Sequence, residues 1–274
     1  MCHQKNRMLV KYVKNKLLYL LTHSQKRKEN YKFAKNWLKN YNNFRKVFTP
    51  ETFFVVGDSH TDIFNQNMFD KKVLLGYDQL KSNLWGCTYS APDFVTYHLD
   101  AVLAYNMNRY GSTMKGLEKV NWLIDNKYLP KHAKVVFSLG EIDVRVHVKK
   151  QAEKQNCSVE KVVDSIIEHY GTILLKLKRK GYRVYAYAPI ASQKETVNID
   201  PQFPRYGTEI ERNKISQMFG EKLKSFCQQN GMGFVSVLSE LLNDDMTSKG
   251  EYYRDGVHLN MQARPLVVKK FKDL

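Results

Sequence analysis

From residue 51 onward the chain alternates short apolar runs with long amphipathic stretches, and no other feature restricts its fold so strongly. TFFVV (52–56), KVVFSL (134–139), RVYAYA (183–188) and GFVSV (233–237) have the length and the β-branched or aromatic content of buried strands. A further strand falls at AVLAYN (101–106), with KKVLLGY (71–77) competing for the same role. Helical patterns fill the intervals at roughly 113–127, 158–180 and 208–230. Strand, helix, strand in repetition requires right-handed crossovers, and so a central parallel sheet of about five strands with helices on both faces. In such a sheet the reactive groups belong just beyond the carboxyl ends of the strands.

Three of those ends are rich in chemistry. The first presents Gly57-Asp58-Ser59-His60, and the strand ending in SLGEIDVR presents Gly140, Glu141, Asp143 and Arg145. Near the C-terminus YYRDGVHLN supplies Asp255 and His258, three residues apart. A serine hydroxyl becomes a nucleophile when a base takes its proton, and a neutral imidazole suits that task. The imidazole in turn works best with a carboxylate on its other nitrogen. Ser59 as nucleophile, His258 as base and Asp255 as orienting carboxylate fill the three roles. Free amides at the serine turn would meet the developing oxyanion.

These residues, in this order and spacing, resemble the SGNH (GDSL) hydrolase family over about residues 51–270. The pair GDSH and GEIDVR resembles most a bacterial branch associated with surface-polysaccharide gene clusters. The resemblance implies a flavodoxin-like three-layer α/β/α sandwich, and ester hydrolysis or acyl transfer through an acyl-serine, on a saccharide or its precursor. It implies no metal or nucleotide; a transferase would add an acyl donor such as acetyl-CoA. One departure stands out. The family's third block reads Gly-x-Asn-Asp, with the Asn donating to the oxyanion, whereas here Ile142 follows Gly140-Glu141. Loss of one such donor typically costs about 2.7–4 kcal/mol of transition-state stabilisation. Arg145, Asn106 or Asn108 are the candidate replacements, and Gly111 and Gly86 compete as the second-block glycine. His60 and His147 read as local hydrogen-bonding residues.

Two other readings use the same residues. Asp58-x-His60 with Asp62 resembles the opening of metal-dependent phosphoesterases, but GEID is a poor second block for that family and no GNH turn occurs. A non-catalytic glycan-binding module would explain Ile142 as decay, against which the intact Ser59, Asp255 and His258 argue.

Charge divides the chain at about residue 50. Residues 1–50 hold thirteen Lys or Arg against one acid, Glu29, a net +12, while the other 224 residues hold 31 bases and 26 acids. Leu9, Val13, Leu17 and Leu20 or Leu21 repeat at helical spacing, and Phe33, Trp37, Tyr41 and Phe44 mark a second helix. The expectation is a basic helical appendage over 1–50 and a catalytic domain over 51–274. Residues 1–48 would lie on an anionic membrane, grip an acidic glycan, or pack on the domain. No zinc finger, RRM signature or helix-turn-helix points to nucleic acid. No apolar run reaches the ~18–20 residues of a membrane span. The four cysteines lie far apart without a CxxC pair. The expected location is therefore the cytoplasm, at the inner face of the membrane.

Overall fold

The computed structural model describes residues 2–22, 50–65, 72–75, 77–87, 94–197 and 201–274. Helix α1 (Cys2–Thr22) precedes the domain; the second helix expected around Phe33–Phe44 lies outside the described residues. Strand β1 (Phe53–Gly57) is buried at every position, as an apolar run without polar alternation requires of a strand covered on both faces. It pairs in parallel with β4 (Phe94–His98) on one side and β5 (Lys134–Ser138) on the other. Then β6 (Arg183–Tyr187) and β7 (Gly233–Val235) extend the parallel run. At the opposite edge β2 (Lys72–Leu74) and β3 (Trp85–Cys87) add two antiparallel pairings, giving the order β2-β3-β4-β1-β5-β6-β7.

The sheet therefore has a five-stranded parallel part, as expected, and an antiparallel margin that was not. AVLAYN is no strand. The chain has already left the sheet at Leu99, whose amide bonds Gly57 O at 2.6 Å, and it turns at Asp100 with φ of 65°. The strand of this region is FVTYH, which begins seven residues earlier in the chain and is absent from the sequence reading. KKVLLGY does supply a strand, the three-residue edge strand β2.

Helices α2 (Tyr77–Leu80), α3 (Gly116–Asp125), α4 (Val148–Gln155), α5 (Val159–Arg179), α6 (Glu209–Gln229), α7 (Leu238–Leu241) and α8 (Arg264–Lys272) complete the order. The two longest in the domain carry their own boundary signals. Ser158 caps α5, which ends in Lys176, Lys178 and Arg179; Thr208 and Glu211 form a reciprocal capping box on α6. Alternate residues of β1 feed two cores. Phe54 and Val56 face Leu123, Tyr170 and Phe219, while Phe53 and Val55 face Val267 and Phe271. The result is an α/β/α sandwich.

This topology places the site. From β1 the chain crosses to β4 on one side and then to β5 on the other, so β1 is where strand order reverses and a crevice opens. Gly57 ends β1 there, between His98 and Ser138. A Cβ on Gly57 would stand 2.1 Å from the Ser138 carbonyl oxygen, a backbone atom that cannot move without breaking the sheet. Gly57→Ala should therefore destabilise the fold by about 2–4 kcal/mol. Gly111→Ala, where the added Cβ meets nothing and only the φ of 73° resists, should cost about 1 kcal/mol. Urea unfolding midpoints of the two variants test the order.

Candidate active site

Ser59 opens a 3-10 turn (Ser59–Phe64) immediately beyond β1. The turn is fixed by Asp58, whose carboxylate accepts the His60 amide at 2.9 Å and whose carbonyl accepts the Thr61 amide and hydroxyl. Burial pushes the Asp58 carboxyl well above its ordinary range, with the His60 amide bond opposing. His60 is buried too. Burial holds its imidazole neutral, with further lowering from the charges of His258, Arg145 and Arg254.

The C-terminal loop delivers the base. Gly256, with φ of 79°, permits the tight Asp-Gly-Val-His turn. Asp255 Oδ1 accepts the Val257 and His258 amides at 3.1 and 2.8 Å, and Oδ2 lies 2.8 Å from His258 Nδ1. A carboxylate only accepts, so Nδ1 carries the ring proton and Nε2 is free as a base. Nε2 stands 2.7 Å from Ser59 Oγ, across 199 residues of sequence. Burial opposes charge on Asp255, yet the bonds from the His258 ring and backbone hold its carboxyl well below the usual range. Arg254 Nε shares Oδ2 at 3.2 Å and reaches Asp62 with Nη2 at 3.6 Å, joining the base loop to the serine turn.

The loop after β5 is mostly scaffolding. Gly140 has φ of 107°, and a Cβ there would meet the Phe219 ring at 2.8 Å. Asp143, buried, accepts the Ala104 and Tyr105 amides at 2.8 and 3.2 Å, fastening the loop after β4 to the loop after β5. Burial pushes its carboxyl up to about 6 against those two bonds. Glu141 Oε1 accepts Arg145 Nε at 2.7 Å, and Arg145 Nη1 donates to Pro204 O at 2.6 Å. Arg145 is thus engaged away from any oxyanion. Ile142 is half-buried and aliphatic.

Gly111 and Asn108 sit on an exposed turn, where the Gly111 amide donates to Glu118 at 2.7 Å. No contact joins either residue to Ser59 among the described residues. Gly86 lies within β3, paired with Tyr97. The loop that reaches the site from this side is Ala104–Asn106, which carries no glycine signal in the sequence. Phe203, also unmarked in the sequence reading, sets its ring edge-on to His258 at 5.1 Å. Arg205 and Arg212 follow β6 on a loop and at the start of α6, where a cation ordinarily faces water. Arg212 is instead fully buried, bonding Ser192 Oγ and Gln193 O, and Arg205 holds the carbonyls of Lys194 and Val197. No group of three or more His, Cys, Asp or Glu side chains is placed to hold a metal ion among the described residues.

No curated protein matches the chain. A GDSL-like lipase from Bacteroides thetaiotaomicron VPI-5482 superposes with a TM-score of 0.53 at 13% identity, covering 87% of this chain and 96% of that one. A Bacteroides fragilis NCTC 9343 chain described as an acylhydrolase gives 0.52 at 15%, covering 85% and 92%. These likenesses show the fold. Residues 53–271, from the first residue of β1 into α8, match the model of the GDSL-like lipase/acylhydrolase family, and the chain belongs to that family of serine esterases.

Proposed function

We propose that the protein removes or transfers a small acyl group, most simply acetyl, on a saccharide, through an acyl-Ser59 intermediate. The observation that carries this is the unbroken line Ser59 Oγ, His258 Nε2, His258 Nδ1, Asp255 Oδ2 at 2.7 and 2.8 Å. Oγ attacks the ester carbonyl while its proton passes to Nε2, and Asp255 stabilises the imidazolium. The Ser59 amide opens a helical turn, where a backbone N–H has no partner inside the turn, and serves as a donor to the oxyanion. Collapse breaks the carbonyl–alkoxy bond, and the imidazolium protonates the departing sugar oxygen. Water, or a second sugar hydroxyl, then gives its proton to His258 and takes the acyl group from Ser59. The chemistry is the same for hydrolase and transferase up to this last acceptor.

Two spaces support the choice of groups. The gap beside Ser59 and His258, walled by Ile63, Tyr187, Ile190 and Leu259, has room for about one water-sized group, so only a small acyl chain fits there without movement of the wall. A larger cavity of about 310 Å³ is lined in part by Asp143 and Tyr105 and does not include Ser59. Its lining joins the Tyr105 ring to Gln151, Gln155, Lys161 and Ser165, a mixture of aromatic surface and polar groups that suits a sugar.

The reading extends to an anionic membrane surface, contacted through α1. Tyr12 packs against the domain core, and Asn15 and Leu18, also half-buried, share its side of the helix. The opposite side leaves Leu9, Val10, Val13, Leu17 and Leu20 between 45% and 63% exposed. Lys14 and Lys16 are exposed beside this stripe, and α1 contains no acid. An apolar stripe flanked by cations fits the headgroup boundary of an anionic bilayer. No described helix is long and apolar enough to cross one.

Three outcomes are expected. Ser59→Ala should lose fluorophosphonate labelling and all enzymatic turnover of 4-nitrophenyl acetate, and Asp255→Asn should lower kcat on the order of 10³- to 10⁴-fold. Tyr105→Ala should raise KM for an O-acetylated oligosaccharide about tenfold without changing 4-nitrophenyl acetate turnover; an unchanged KM removes the cavity from the substrate path. The full chain should sediment with phosphatidylglycerol-containing vesicles far more than with phosphatidylcholine alone. Leu17→Glu should weaken that binding about tenfold or more with esterase activity intact. Equal sedimentation of variant and wild type sinks the membrane reading.

A further inference from the structure

The catalytic line leaves GDSH and GEIDVR half explained, since His60, Glu141 and Arg145 take no part in it. They form a buried line of their own. His60 Nε2 lies 3.0 Å from Glu141 Oε2, Glu141 Oε1 accepts Arg145 Nε, and Arg145 Nη1 donates to the carbonyl of Pro204. The Arg145 carbonyl also accepts the Tyr206 amide at 2.9 Å. All three side chains are 5–6% exposed. The line therefore runs from the serine turn, through the loop after β5, to the loop 203–206.

Both ends of this line touch the base. The His60 ring lies 5.0 Å from the His258 ring at 43°, and the Phe203 ring lies 5.1 Å from it at 84°. His258 thus contacts two rings, one beside Glu141 directly and the other next in sequence to Pro204, whose carbonyl Arg145 holds. The contact of Glu141 with His60 is close but poorly aligned, and neither facing atom completes a hydrogen bond. With His60 neutral, the buried negative charge of Glu141 is balanced by Arg145 alone on this line.

We propose that Glu141 is a positioning residue for His258: it fixes the two rings that flank the imidazole and cancels the Arg145 charge beneath it. The proposal rests on the esterase reading of Ser59 and His258, which the Ser59→Ala comparison tests separately. Substitution at either end of the Glu141–Arg145 pair leaves one uncompensated charge near the base, and the two substitutions leave opposite signs. The titratable and charged groups already around His258, His60 and Glu141 are Asp255 and Arg254 on the base loop, Asp58 and Asp62 at the serine turn, Asp143 on the loop after β5, and Arg205 beyond Pro204, and they are common to both variants.

Activity requires neutral His258, so kcat/KM falls as pH drops through the acid limb of its profile. In Glu141→Gln the bare Arg145 cation disfavours the imidazolium, and the acid limb should move to lower pH. In Arg145→Met the bare Glu141 anion favours the imidazolium, and the limb should move to higher pH. Shifts of about half to one pH unit are expected, with kcat on 4-nitrophenyl acetate reduced about 10- to 100-fold in each as the flanking rings loosen. A purely structural role would lower the rate alike at every pH. Limbs that coincide with wild type, or that move in the same direction, overturn the proposal whatever happens to kcat. Should one variant fail to refold, the direction of the limb shift in the other decides, downward for Glu141→Gln or upward for Arg145→Met.

Discussion

The molecule depends on a strand that has neighbours on both edges and helices on both faces. β1 leaves no room for polar side chains along its length, nor at Gly57 for any side chain at all. The first position where the chain can present chemistry is therefore the turn beyond Gly57. β4 and β5 depart from β1 to opposite sides, so three loops meet at that turn without crossing the sheet. The fourth contribution, His258, comes from the segment that leads into α8, a helix packed through Val267 and Phe271 onto Phe53 and Val55 of the same strand. A hydrogen bond spanning 199 residues is thus held by packing on one central strand.

Much of this was legible because burial leaves marks in sequence. The parallel strands read as apolar runs since both of their faces are covered, and α5 and α6 read from their periodicity and caps. Ser59, Asp255 and His258 read from the chemistry required of a nucleophile, a base and an orienting acid. What stayed hidden has equally physical causes. β2 and β3 are three residues long, and their pairing depends on a neighbour rather than on their own composition. AVLAYN has strand-like composition but follows a turn at Asp100, whose left-handed φ of 65° no local pattern announces. Arg212 lies near the start of α6, where a cation ordinarily faces water; its burial follows from a loop of carbonyls that no local pattern announces.

The third block shows the same division. Asp143 and Arg145 were marked as polar groups near the reaction; Asp143 is spent on backbone, and Arg145 is divided between backbone and Glu141. Asp143 holds two amides of the loop after β4, and Arg145 holds a carbonyl of the loop beside His258. A loop amide or carbonyl leaves no trace in the sequence at the position that binds it. What sequence reasoning missed on the partner loops were these backbone groups, the Ala104 and Tyr105 amides and the Pro204 carbonyl; Asn106 had been marked only as a candidate oxyanion donor.

Ile142 gives this scaffolding its importance. Where the family pattern has an amide donor, this chain has a half-buried aliphatic side chain flanked by Glu141 and Asp143, each engaged elsewhere. On the proposed mechanism, charge developing on the carbonyl oxygen is met by backbone N–H groups such as that of Ser59. A side-chain donor can adjust its own rotamer, but a backbone donor is only as well aimed as the turn that holds it. The serine turn is held on both flanks, by Asp58 through the His60 amide and by Arg254 through Asp62. Burying the Glu141–Arg145 ion pair carries a large desolvation cost, which their mutual pairing offsets. Rigid aim at the oxyanion is a return that a hydrophobic replacement of the same volume could not supply, and it accounts for charged residues where a stable core alone would have favoured apolar ones.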